Sequence, residues 1–453
     1  MARDLALLAS QLAVAITAVG ALVFEMLRLP KVGLLFTVVG LLVGTGLASL
    51  LVGTETTVFM GTYRVDALSV WADLVLLPAT VLCVVLARRE VGGTDREGTV
   101  YALLSFTALG ALVLAGAGDL MLLVLGVLLS SLGSFALVAY PRDDRSTEAA
   151  MKYLVFGSVT SAVMIFGLTY WFGATGSTLL SELGGLGGVP LATVAGLMAV
   201  LVGLGYKAAI TPFHFWAPDA YDGAPVSVAA FLSVVPKVGA IFALAQVVRD
   251  LPVSAAGWPL IVAALAALSM TYGNLAALVQ ENVVRLLAYS AIAQSGYFLL
   301  GVVAIVRSDL ALPSLVVFAA AYAAMNIGAF AVVMLAGRNL RDFAGLGRSR
   351  PAVGVAMVVF LISLVGVPPL AGFVGKLPLF GTAIQAGFTP LAVIAILNSV
   401  LSLAVYLRLV VPMYGTTKAA PSPSPWVTAV WAFALVATVA LGLAVQMILG
   451  GIR

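Results

Sequence analysis

Long apolar runs separated by short polar turns dominate the chain from end to end. A run of about 20 apolar residues is long enough to cross a bilayer as a helix. By that measure the sequence divides into about 14 spans, at 5–27, 32–52, 66–87, 99–116, 119–140, 151–172, 190–210, 225–248, 257–279, 283–306, 311–336, 354–385, 390–413 and 425–448. The first run is longer than a signal-peptide core and is read as a span. The intervening turns leave little room for a soluble domain, so the pattern predicts one polytopic membrane domain over 1–453. An all-α fold follows, because hydrocarbon offers no partner to an unsatisfied backbone group. The ten-residue alternation of a membrane barrel is missing from the pattern.

Composition removes whole classes of function. Hydrophobic residues make up 62% of the chain and charged residues 9%, against about 45–50% and 25% in soluble domains. A water-soluble enzyme is excluded. Cys83 is the single cysteine and His214 the single histidine. An iron–sulfur cluster needs about four thiolates and a structural zinc about four Cys or His ligands, so the chain can build neither, nor a bis-histidine haem. Any electron transfer it serves must run through partner chains.

The net charge of +4 says less than its placement. Connections after odd-numbered spans carry fifteen Lys and Arg, from Arg28 and Lys31 through Arg88, Arg89, Arg96, Arg142, Arg145, Lys152, Arg285 and Arg338 to Lys418. Connections after even-numbered spans and the two ends carry five: Arg3, Arg64, Arg249, Arg307 and Arg453. The positive-inside rule then puts the odd connections in the cytoplasm and both termini on the outer side.

Three lysines remain, and all three lie inside spans: Lys207, Lys237 and Lys376. Each is penalised by about 2.5–3.5 kcal/mol at a helix centre. Snorkelling from a helix end suits Lys152, at the start of its span, but suits Lys207 poorly. Burial disfavours an ammonium ion, so buried lysines in general can exchange protons near neutrality and respond to a neighbouring charge. That chemistry suits proton transport. Two of the spans also carry proline breaks beside their lysines: Lys207 precedes Thr211-Pro212, and Pro368-Pro369 precedes Lys376. Proline removes a backbone donor and frees a carbonyl. Interrupted spans in matching halves of a transporter point to inverted repeats with ion sites at the breaks. Asp73, in the third span, is either a further acidic participant or a polar residue near a span end.

At these residues the chain resembles a known family. The run Gly205–Tyr221, continuing as Asp222-Gly223-Ala224-Pro225, resembles the signature of the antiporter-like membrane subunits of complex I, the proton-pumping NADH:quinone oxidoreductase. Glu148–Tyr153, Asn274–Leu278, Arg285–Ser290 and Pro368–Lys376 are similar to further family motifs, and the match spans roughly residues 100–410. The Asp222–Pro225 ending and the Ala371–Lys376 run resemble the N-type subunits most; Mrp-type cation/proton antiporters share much of the signature. The resemblance implies 14 transmembrane helices with two inverted five-helix repeats, spans 4–8 (about 99–248) and 9–13 (about 257–413), with spans 7 and 12 broken. It implies that Lys207, Lys237 and Lys376 form a proton relay, with His214 as a proton-access residue.

By the same resemblance, NADH, FMN, iron–sulfur clusters and quinone belong to partner subunits of a membrane arm, with no cofactor or metal in this chain. A bacterial plasma membrane is the expected location. Two positions depart from the family pattern. Leu128 stands where the family has a glutamate, and Gln294 where it commonly has a histidine. Glutamine can hold a water but cannot gain or lose a proton at neutral pH. The alternatives are a cation/proton antiporter or hydrogenase-linked subunit, or a mainly structural N-type subunit with a degenerate channel.

Overall fold

The computed structural model describes residues 2–253, 257–415 and 423–444; Lys418 and Arg453, counted in the charge asymmetry, lie outside them. Helices dominate. The first span is α1 (Ala2–Leu7) followed by α2 (Ala9–Met26), and the next five are α3 (Pro30–Ser49), α4 (Ala67–Val91), α5 (Glu97–Ala115), α6 (Leu120–Val138) and α7 (Asp144–Thr175). Span 7 is α8 (Pro190–Lys207) and, beyond a break, the short α9 (Trp216–Gly223). Then come α10 (Val226–Asp250), α11 (Trp258–Leu278), α12 (Val283–Ala304), α13 (Ala311–Ala336) and a single turn, α14 (Leu346–Ser349). Span 12 is α15 (Pro351–Val365) plus α16 (Ala371–Gln385), and α17 (Thr389–Met413) and α18 (Pro425–Leu443) complete the order. Among the described residues, thirteen helices are long and apolar enough to cross a membrane, and α15 is a shorter apolar helix. This is an all-α, multi-pass membrane protein.

Local chemistry sets the boundaries. Asp66 and Asp143 start α4 and α7 with reciprocal capping boxes to Ser69 and Ser146, which satisfy amide groups that the helix itself cannot. The box at Asp143 explains why α7 begins seven residues before the apolar run at 151. Asp119 and Asn282 cap α6 and α12 more simply, each side chain accepting from two first-turn amides. One feature has no counterpart in the apolar pattern: the connection before α4 folds as a two-stranded hairpin, β1 (Thr56–Val58) with β2 (Tyr63–Val65).

The apolar windows of α10, α12 and α13 are 100%, 94% and 94% buried, against 33% for α2, α7 and α18. The first three therefore form the centre of the bundle, and the last three present wide apolar faces outward. The connections sort by parity. Arg145 and Arg338 pair with Asp222, Asn282 bonds Asp222 at 2.7 Å, and Glu90 accepts the Val226 and Ser227 amides, so the odd connections meet at one pole. At the other pole Arg64 pairs with Asp250, and Arg249 with Asp66 at 2.8 Å.

The candidate proton path

Both breaks are closed by the same backbone motif. At the end of α8 the Ile210 amide returns to the Gly205 carbonyl at 2.8 Å, and at the end of α15 the Val367 amide returns to the Ile362 carbonyl at 3.3 Å. Such a closure needs a left-handed residue one position earlier. Gly366 fills that position after α15, with φ 97°, while Ala209 fills it after α8, with φ 53°. The chain holds an alanine in a conformation that costs about 1–2 kcal/mol, two residues from a buried lysine. In span 12 a second glycine permits the return: a Cβ on Gly372 would lie 1.6 Å from the Ser363 carbonyl oxygen, and the Gly372 amide instead donates to Ser363 Oγ at 2.9 Å.

Lys207 is the last residue of α8 and is 1% exposed. Its Nζ donates to Ser131 Oγ at 3.1 Å and Ser134 Oγ at 3.3 Å on α6, and lies 5.8 Å from the Tyr153 ring centroid. Tyr153 stacks on Trp216, the first residue of α9, with centroids 4.2 Å apart. Trp216 Nε1 in turn donates to the Tyr206 carbonyl at 2.7 Å. Aromatic packing thus holds the two halves of span 7 in place around the lysine.

Lys237 sits in the middle of α10, directly after Pro236, with no exposed surface. Its Nζ donates to the Ala291 carbonyl of α12 at 2.8 Å. Lys376 lies in α16 and is 2% exposed. Its Nζ turns back to the Leu364 and Val365 carbonyls at 2.8 and 3.2 Å, the last carbonyls of α15. Those groups lack intrahelical partners and carry the negative end of the helix dipole. The Tyr297 ring lies 3.8 Å from the same ammonium, a cation–π distance. Among the described residues no carboxylate pairs with any of the three lysines. Hydroxyls, carbonyls and rings surround them instead.

One helix touches all three stations. On α12, Ser295 Oγ donates to the Ala208 carbonyl at the span-7 break at 2.7 Å. Ala291 receives Lys237, and Gln294 Nε2 donates to the Leu364 carbonyl at the span-12 break at 3.2 Å. Gln294 Oε1 is buried without a hydrogen-bond partner. The position expected to depart from the family therefore lies between Lys237 and Lys376.

Leu128 behaves differently. Its side chain is 40% exposed on α6, while Ser131 and Ser134, three and six residues on, face Lys207. His214 is buried in the break between α8 and α9, 4.6 Å from the Tyr272 ring, with Nδ1 unpartnered. Ser131, Ser134, Ser295 and Tyr297 were not singled out by the sequence. Ser131 and Ser134 lie three and six residues after Leu128 and Ser295 directly after Gln294, two positions that were named, whereas the ring contact to Tyr297 has no sequence signature.

Residues 117–402 match the family model for the NADH:quinone oxidoreductase/Mrp antiporter transmembrane region. The chain belongs to this family. An NADH-quinone oxidoreductase subunit N 1 from Streptomyces griseus is 40% identical over 426 residues, covering 92% of this chain and 90% of the relative. An F(420)H(2) dehydrogenase subunit N from Methanosarcina mazei is 38% identical, covering 83% of this chain and 80% of the relative. Among solved structures, a chain of respiratory complex I from Thermus thermophilus superposes with a TM-score of 0.86 at 33% identity, covering 97% of this chain and 98% of that one. The two sequence relatives differ in the electron donor their names carry, NADH in one and F(420)H(2) in the other.

Proposed function

We propose that this chain is a proton-translocating membrane-arm subunit of a complex I-like NADH:quinone oxidoreductase. Quinone reduction in partner subunits, which hold the NADH, FMN and iron–sulfur sites, is coupled here to proton transfer along Lys207, Lys237 and Lys376. His214 serves as an access residue. The observation that carries this reading is the placement of three buried lysines without carboxylate partners, two of them at matching helix breaks, all joined through α12. Spans 4–8 and 9–13 are read as the two inverted repeats, a reading supported by the shared closure at Gly205–Ile210 and Ile362–Val367.

The physical step is a transfer between amines whose surroundings differ. Each site offers fixed acceptors to an ammonium ion but no counter-charge, so a change at one site is felt at the next across a medium of low effective dielectric. Purification through a tag on this chain tests the assembly. Co-isolation of flavin and iron–sulfur subunits agrees with the proposal, and isolation with small membrane subunits alone points to an antiporter. The outer location of both termini, in a bacterial plasma membrane, is part of the proposal. Cysteine labelling of a terminus in a Cys83→Ala background tests it, and labelling only after permeabilisation contradicts it.

A further inference from the structure

Among the described residues four carboxyls are buried outside the lysine path: Asp66 and Glu97 pair with arginines and Asp119 caps α6, which leaves Asp73. Asp73 lies seven residues beyond the Asp66 cap of α4, about 10 Å along the helix, and is 2% exposed. Gln11 of α2 donates its Nε2 to Asp73 Oδ2 at 2.9 Å and to the Tyr63 hydroxyl at 2.8 Å. Ser10 faces the same carboxyl. Three oxygens at this place are buried without a hydrogen-bond partner: Asp73 Oδ1, Ser10 Oγ and Gln11 Oε1. Tyr63 is seated there because Gly116 has no side chain; a Cβ on Gly116 would fall 2.2 Å from the Tyr63 ring.

A bare carboxylate in this position would be an uncompensated charge in an apolar bundle, which is strongly unfavourable. The cations at the nearest pole are committed elsewhere. Arg64 pairs with Asp250 and Arg249 with Asp66, and Lys237 of α10 donates to Ala291. The remaining ionisable residues of the elements packed on α4 do not reach it either. Glu25 of α2, Lys31 of α3, and Glu97 and Tyr101 of α5 lie at the far ends of their helices. Arg88 of α4 pairs with Glu97, Glu90 binds Val226 and Ser227, and Tyr322 of α13 donates to the Ser233 carbonyl. The described part of α18 contains no ionisable residue.

We propose that Ser10, Gln11, Tyr63 and Asp73 form a proton-binding site distinct from the three lysines, exchanging with the pole that carries Arg64 and Asp250. Loading forms an O–H bond at Asp73 Oδ1 with a proton taken from water, and unloading returns that proton to water. The new hydrogen on Oδ1 gives the carboxyl a donor, and the unpartnered Ser10 Oγ that faces it is the acceptor on offer. A sodium ion fits less well, because Gln11 directs a donor into the site and few oxygens are free to replace the ion's hydration shell.

Infrared difference spectroscopy on the purified assembly tests the site in its native setting. Wild type minus Asp73→Asn should show a protonated-carboxyl C=O band that shifts in D2O and fades as pH is raised. Absence of that band at every pH overturns the proposal. Loss of the band on adding NaCl at fixed pH also overturns it, in favour of a sodium site. Gln11→Leu keeps Asp73 but removes the donor to Oδ2, and should move the midpoint of the band's titration by about one pH unit. An unmoved midpoint contradicts the assigned geometry, and this variant decides the matter if Asp73→Asn does not assemble.

Discussion

Gln294 and Lys376 share an acceptor: the Leu364 carbonyl oxygen receives Gln294 Nε2 at 3.2 Å and Lys376 Nζ at 2.8 Å. A side chain that cannot titrate at neutral pH thus stands against the break that holds a titratable one. Lys237 meets Ala291, three residues earlier on the same helix. The free Oε1 of Gln294 is the group available to a water between the two lysines, and a single buried water of this kind is common where polar groups lack partners.

Gln294→Leu removes both the donor and the free oxygen. Lys376 still occupies Leu364, so assembly should change by no more than about 1 kcal/mol, while proton transport falls several-fold. Gln294→His restores a titratable group and should transport at least as well as wild type. Dye-quench assays in inverted vesicles, normalised to assembled protein, read both. Wild-type transport in Gln294→Leu contradicts a role for this side chain between the lysines.

The partner of Lys207 on α6 is set by which face of the helix it meets. Ser131 and Ser134 face it, and Leu128 is 40% exposed on the same helix. A carboxylate introduced by Ser131→Asp lies within reach of the ammonium and should move the pH profile of transport. Leu128→Glu should leave that profile in place. Ser131→Ala and Ser134→Ala each remove one hydrogen bond to a charged group, worth about 1.5–3 kcal/mol, and the double variant should lose more transport than either single one. A shifted profile in Leu128→Glu alone would reverse this assignment.

Ala209 occupies a left-handed position that Gly366 fills at the other break. Ala209→Gly should therefore stabilise the assembly by up to about 1 kcal/mol, seen as a higher Tm. Ala209→Val should lower it, because a β-branched residue is poorly tolerated at positive φ. An unchanged Tm in both variants would show that the surroundings impose no strain there.

A pH-dependent cap is expected at the start of α7. The Ser146 amide and hydroxyl sit in the box with Asp143 and hold its carboxyl below the usual carboxylate range. A depressed folded-state value means that the cap's contribution is present above the unfolded carboxyl's pKa and is lost as pH falls through the lower, folded one. Hydrogen exchange at the Ser146 amide should be faster in Asp143→Ala than in wild type at pH 7. The two rates should converge in acid, once pH is corrected for. A difference that persists below the folded value would assign the protection to something other than the charge.

The spans and both breaks were legible because each has a one-dimensional signature, an apolar run of fixed length or a proline beside a lysine. The lysines stood out because an ionisable residue in a span has to be compensated by something. What surrounds them was less legible. Leu364, Val365 and Ala291 act through backbone carbonyls, which any residue supplies. Ser131 and Ser134 were overlooked because the family pattern drew attention to position 128, although their i, i+3 spacing marks one helix face. The hairpin at Thr56–Val65 is too short to rise above the apolar pattern. Asp73 lies closer to the bundle interior than its place near a span end implied, because Gln11 of α2 bridges it to Tyr63 of the hairpin.

The central claim is that protons pass through the buried lysines, and Lys237 is its most exacting point. Removing this charge relieves a folding penalty rather than creating one, so Lys237→Ala should assemble normally. Proton pumping measured in inverted membrane vesicles, with quinone reduction followed in parallel, should then fall to near background, and quinone reduction should fall with it if the two are tightly coupled. Wild-type pumping by normally assembled Lys237→Ala protein would contradict the account.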